Sequence, residues 1–205
     1  MRLLTDALEV LAALTACGAG VVLLVASGRR LALAALGTTF VACSVLLLGL
    51  VPLVVSLALV TSGAAATAIV ALSTSGAAWP WLSSAAGALP EGRPFRLVLS
   101  AFVLVAIAGL TQSVRLPGQA IPPPVIATSL GLIGLGALQL GLSERSLRVC
   151  IGLLTALAGF ETLYFVLEPS LGIVALLGSV NVVVGLIASY LLLVVRPARS
   201  KDGPA

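Results

Sequence analysis

The sequence predicts an all-α integral membrane protein, a polytopic bundle of about seven transmembrane helices with the N-terminus outside and the C-terminus cytoplasmic. Three observations carry this. Hydrophobic residues make up 60% of the 205-residue chain and charged residues only 9%, and the mean hydropathy of +1.23 exceeds what a soluble core requires. Apolar runs of about 20 residues, the length that crosses the hydrocarbon of a bilayer, recur along the chain. The basic residues fall between those runs, on alternate sides.

The first span is 7–27. Asp6 and Glu9 stand where a cleavable signal would be basic, so it is read as a retained helix. The stretch 31–73 carries no charge and would be roughly 60 Å long as one helix, about twice the hydrocarbon thickness. It must turn back, and Gly49 to Pro52 near its middle supply the place, because proline lacks a backbone donor and disfavours helix in the residue before it. The second and third spans are therefore 31–49 and 53–72. A long loop, 73–96, follows with Trp79, Pro80, Trp81, Pro90 and Pro94 and is expected along the inner surface. The fourth to seventh spans are 98–112, 125–142, 148–167 and 171–195, so 1–195 is one transmembrane domain with a cytoplasmic tail at 196–205.

Charge tests this count independently, since cytoplasmic loops are enriched in Lys and Arg. Seven spans place Arg29, Arg30, Arg93, Arg96, Arg145, Arg148, Arg196, Arg199 and Lys201 inside and only Arg2 and Arg115 outside. Merging the second and third spans would put Arg93 and Arg96 opposite Arg29 and Arg30 and destroy the asymmetry. Trp79, Trp81 and Tyr190 fall near inner helix ends and Tyr164 near an outer one, depths that amphipathic rings favour. The basic residues are topology signals scattered in ones, twos and threes, and no nucleic-acid surface is expected.

The chain has no histidine, which removes the commonest general base and metal ligand together. Cys17, Cys43 and Cys150 lie in apolar stretches without motif spacing and read as packing residues. No Ser/His, His/Glu or paired-Asp arrangement is available, so neither a catalytic centre nor a cofactor or metal site is expected in this chain. Among the acids, Glu9, Asp6, Glu91, Glu144 and Glu168 fall at helix ends or in loops.

Glu161 is different. It stands roughly 9 Å from the outer end of the sixth span, too deep for a short side chain to reach water easily. A carboxylate at the bilayer centre costs on the order of 2.5–3.5 kcal/mol on insertion scales. Glu161 should therefore be neutral, paired, or facing a hydrated cavity. Asn181, near the middle of the antiparallel seventh span, lies within about 6 Å of it in depth. If the two face each other they can share a hydrogen bond or a water, as interhelical glue or as part of an ion path. Gln139 and Gln112, nearer helix ends, are expected only to pack or hydrate. Glycines at 131, 134 and 136, at 152 and 159, and at 178 and 185 predict close helix packing; the last two pairs are seven apart, hence each on one face.

From Arg115 onward the chain resembles component E of hydrogenase-4, a subunit related to the K-type membrane subunits of respiratory complex I and of multisubunit cation/proton antiporters. The resemblance rests on a short loop with Val114, Arg115, Leu116 and Pro117, a helix, and the inner turn Ser143, Glu144, Arg145, Ser146, Leu147, Arg148. A helix with Gly152 and Gly159, an outer turn with Pro169 and a long final apolar helix complete it. It implies a non-catalytic subunit of a larger membrane complex, at most part of an oxidoreductase, in which electron transfer elsewhere drives proton or cation movement. Where the family places a membrane glutamate, two residues before the second glycine of the sixth helix, this chain has Leu157. Apolar residues around Ile173 replace a second family acid, and the third span has no lysine. Glu161 lies one turn after Leu157 on roughly the same face. Two alternatives stay open beside ion translocation: a small stand-alone transporter or permease, and a membrane scaffold or assembly protein without conduction. The expected surroundings are the lipid bilayer of a bacterial-type inner or plasma membrane and other membrane subunits.

Overall fold

In hydrocarbon each backbone N–H must find its acceptor within its own segment, which leaves helix as the state of every apolar run. A computed structural model describes residues 2–26, 28–74, 93–113, 121–143 and 146–194. Among these are seven helices: α1 (Arg2–Val25), α2 (Arg29–Leu47), α3 (Leu53–Thr74), α4 (Arg93–Ser113), α5 (Pro123–Gly141), α6 (Ser146–Leu167) and α7 (Leu171–Val194). All seven are long and apolar enough to cross a membrane. The Trp79, Pro80 and Trp81 cluster, the loop at 114–117, Glu144, Arg145 and the tail 196–205 lie outside the described residues.

The expected spans differ from the helices mainly at their starts. The loop expected to run to 96 ends sooner: α4 begins at Arg93, with Pro94 in its first turn, where a missing N–H goes unused and the fixed φ suits a helix. The apolar yardstick missed this turn because Arg93 and Arg96 are charged. α2 and α6 likewise open on residues of the polar turns before them. The break inside 31–73 falls as Pro52 requires. The chain leaves α2 through a tight turn, in which Leu50 and Val51 donate to the Leu47 carbonyl at 3.0 and 3.1 Å, and Val55 then donates to the Pro52 carbonyl at 2.9 Å.

Six helices close a ring in the order α1, α2, α3, α7, α6, α5; α2 also touches α6 across it, and α4 lies outside against α5 and α1. Two clusters fix the alternation of direction. At one end Ala12, Leu46 and Val125 pack with Leu50, Ile121 and Val166, joining the start of α1 to the ends of α2 and α6. At the other Val70, Cys150, Ala188 and Leu192 join the end of α3 to the start of α6 and the end of α7.

The closest seam is α5 against α6. A Cβ built on Gly136 would lie 2.6 Å from the Gly152 carbonyl and the Ala156 nitrogen, and one on Gly159 would lie 2.6 Å from the Ser129 carbonyl. No other residue permits such an approach. The α3–α7 seam is looser and runs parallel, Gly178 facing Ser62 and Gly185 facing Ala66.

At the end of the bundle where α2 and α4 begin, their arginines serve neighbouring helices. Arg29 donates to the carbonyl of Thr74, the last residue of α3, and Arg96 donates to the carbonyl of Leu24, at the end of α1, at 3.5 Å. The last carbonyls of a helix lack intrahelical donors and carry its negative dipole, so a guanidinium satisfies both needs. Arg96 is thus buried within the protein.

Candidate functional site

The inward stripe of α6 is Leu154, Ala158, Glu161 and Phe165, each at most 1% exposed. The spacing of four, three and four keeps them on one face. The stripe of α7 is Val174, Asn181, Ala188 and Leu192, all buried. Glu161 and Asn181 thus occupy core positions that helix periodicity would give to apolar residues. They meet: the Asn181 amide Nδ2 donates to both carboxyl oxygens of Glu161, at 2.9 Å each. The Asn181 Oδ1 is buried without a hydrogen-bond partner. The two candidate site residues are therefore one direct pair, closer than the separation along the membrane normal alone suggested, because the side chains lean toward each other across the α6–α7 contact.

Small residues give Asn181 its place. Gly178 and Gly185 flank it and let α7 close on Ser62 and Ala66 of α3. From α2, Cys43 lies within electrostatic reach of Glu161 and forms a side-chain hydrogen bond with Thr162. The Thr162 hydroxyl also donates to the Ala158 carbonyl at 2.7 Å.

Most other buried hydroxyls are quenched on their own helices: Thr39 on the Ala35 carbonyl at 2.9 Å, Thr128 on Pro124 at 2.7 Å, Thr155 on Ile151 at 2.8 Å. Such bonds satisfy the hydroxyl locally and leave it little to offer a neighbour. Ser56 departs from this pattern. Its Oγ is buried and unpartnered, while its carbonyl accepts from the Ser44 hydroxyl at 2.8 Å. Ser44 and Ser56 lie beside the 48–52 turn, at the end of the bundle to which α6 runs after Glu161. Sequence reasoning did not single out Ser44, Ser56, Cys43 or Thr162 for this neighbourhood, and the only available signal was a hydroxyl in an apolar run, which is common.

The remaining sequence candidates fall elsewhere. Gln139 is buried and donates to the Arg148 carbonyl at 3.2 Å, tying α5 to the start of α6. Leu157 and Ile173 are half-buried. Tyr164 stacks on Phe160 with centroids 5.5 Å apart, and Tyr190 is exposed. Among the described residues no group of three metal-ligating side chains exists. A groove of about 220 Å³ between α1 and α2 is lined by Leu8, Leu11, Val41 and Val45 with Thr15 and Thr38. Both threonines bond their own helix, so the groove offers shape but no chemistry.

Chemically, the pair can hold one charge or one proton. A carboxyl group buried in a bundle and met by an amide, with no cationic side chain among the described residues bonded to it, is a group whose protonation can change without breaking an ion pair. No protein-family model, curated protein or solved structure matches the chain.

Proposed function

We propose that this chain is a non-catalytic membrane subunit that supports proton or cation translocation within a larger membrane assembly. In this reading Glu161 is the ion-bearing group and Asn181 positions it. The observation that carries it is the buried Glu161 carboxyl held by the Asn181 amide, with the amide oxygen left unpartnered. An acid kept at a core position of a membrane helix is disfavoured unless it has a task, and ion transfer is the task that such groups perform. The resemblance to component E of hydrogenase-4 supports coupling to electron transfer in the neighbouring subunits. The Arg and Lys distribution supports an outside N-terminus and a cytoplasmic C-terminus in a bacterial-type cell membrane.

Glu161→Gln is the informative variant, because a carboxamide keeps the size of the side chain and its ability to bond Asn181 while removing the exchangeable charge. Ion uptake would be measured in membrane vesicles from cells carrying the variant in place of the native chain. We expect a loss of roughly 10²-fold, the low end of what a positioned proton-transfer group contributes, with the assembly intact. Full uptake with E161Q would leave a scaffold. Uptake by the purified chain alone in liposomes would instead make it a stand-alone transporter.

A further inference from the structure

We propose that the Glu161–Asn181 pair takes a proton and rejects sodium, the two carboxyl states being matched by two orientations of the Asn181 amide. This rests on the reading of Glu161 as the ion-bearing group.

Sodium, like other hard cations, is held by several convergent oxygen ligands. Around Glu161 the arrangement is the reverse. Asn181 turns its NH₂ toward the carboxyl at 2.9 Å and its oxygen away. The Thr162 hydroxyl is spent on the Ala158 carbonyl, and the group offered by α2 is the Cys43 thiol, a soft ligand. The site donates hydrogen bonds to an anion where a sodium site would accept a cation.

A proton resolves the one defect in the pair. When a carboxyl oxygen of Glu161 gains a proton, a partial rotation of the Asn181 amide turns its Oδ1–Cγ–Nδ2 edge to the carboxyl and brings Oδ1 to that O–H. One Nδ2–H then donates to the other carboxyl oxygen. The acid and amide form two parallel hydrogen bonds, and Oδ1 acquires the partner it lacks. Loss of the proton reverses the turn and restores the observed arrangement. Few other groups intervene. The sequences of α3 and α5 contain no titratable residue. α7 contains only Tyr190, which is exposed. α2 contributes Cys43, with Cys17 of α1 within electrostatic reach of it, and Arg29 and Arg30 at its far end.

Asn181 is the sole asparagine in the chain, so asparagine labelled with ¹⁵N at Nδ2 reports on this site alone. In the purified full-length protein we expect one side-chain amide signal whose position changes with pH in sodium chloride and in choline chloride alike. In Glu161→Gln it stays fixed. A second measurement uses dicyclohexylcarbodiimide, which reacts with a protonated carboxyl: the acid proton passes to a carbodiimide nitrogen and the carboxyl oxygen bonds to the central carbon. The resulting acylisourea rearranges to a stable acylurea detectable by mass. Labelling of Glu161 should rise as pH falls and be indifferent to sodium. Protection by sodium, or an amide signal that moves with sodium at fixed pH, would overturn the proposal. So would an amide signal that ignores pH in the native chain. If both readouts behave as expected while E161Q leaves ion uptake unchanged, the proton site stands and the translocation reading fails.

Discussion

At the residue scale, two buried side-chain oxygens among the described residues lack partners, and their neighbourhoods predict opposite responses to truncation. Ser56 Oγ is a desolvated hydroxyl whose main-chain carbonyl already serves Ser44. Ser56→Ala removes that hydroxyl without orphaning anything, so it should be neutral or stabilise the protein by about 1 kcal/mol, read as thermal unfolding in detergent. Asn181→Leu leaves Glu161 buried without its donor and should destabilise by about 1–3 kcal/mol, while E161Q should stay within about 1 kcal/mol of the native chain. A larger penalty for E161Q than for Asn181→Leu would show that the charge itself holds the helices. Glu161 was legible in the sequence because an acid in a long apolar run is rare and its depth follows from counting residues. Its direct contact with Asn181 was legible only as a condition, since depth does not say which way a side chain faces. Cys43 was legible as a buried packing residue but not as a neighbour of Glu161, and Ser56 was not legible at all. Most hydroxyls in these helices, Thr39 and Thr155 among them, bond their own backbone, and no sequence signal separates the exception.

At the element scale, the glycines divide by what a side chain would strike. Gly159 abuts backbone of α5, which cannot yield without moving the helix, whereas Gly178 faces the Ser62 side chain at 3.3 Å, which can give slightly. Gly159→Val should therefore destabilise by about 1–3 kcal/mol or more, and Gly178→Ala should be tolerated; equal melting losses for the two would contradict the α5–α6 seam. Arg29→Gln shortens the cap on Thr74 and removes its charge. Its expected cost is about 0.5–2 kcal/mol, the range found when a helix cap is removed, and amide exchange in the last turn of α3 should rise with it. Proline and chain length made the α2–α3 break readable. The starts of α2, α4 and α6 were less so, because a helix at a membrane interface continues past its apolar run into residues that can reach water.

On the scale of the whole molecule, the number of helices could be read from the sequence but their lateral order could not. In lipid, both the outward and the inward faces of a helix are apolar, so periodicity does not reveal which face is buried. The structure separates them: the α2 and α6 spans are 56% buried and the α4 span 11%, leaving α4 open to lipid or to a neighbouring subunit. The orientation proposed from charge has a direct check. In a background without native cysteines, Ser170→Cys should react with a membrane-impermeant maleimide in intact cells, and Ser143→Cys only after the membrane is opened; the reverse pattern would invert the topology. The parallel seam between α3 and α7 also puts a clock on biosynthesis. Chain emerges at roughly 5–20 residues per second, so the roughly hundred-residue interval between Ala66 and Leu171 occupies on the order of 5–20 s. For that time α3 waits without its α7 partner for the Ser62 and Ala66 face, and Glu161 precedes Asn181 along the chain by 20 residues. The acid of α6 therefore gains its amide only when α7 docks, so the last helix to be made both closes the seam with α3 and completes the Glu161–Asn181 pair.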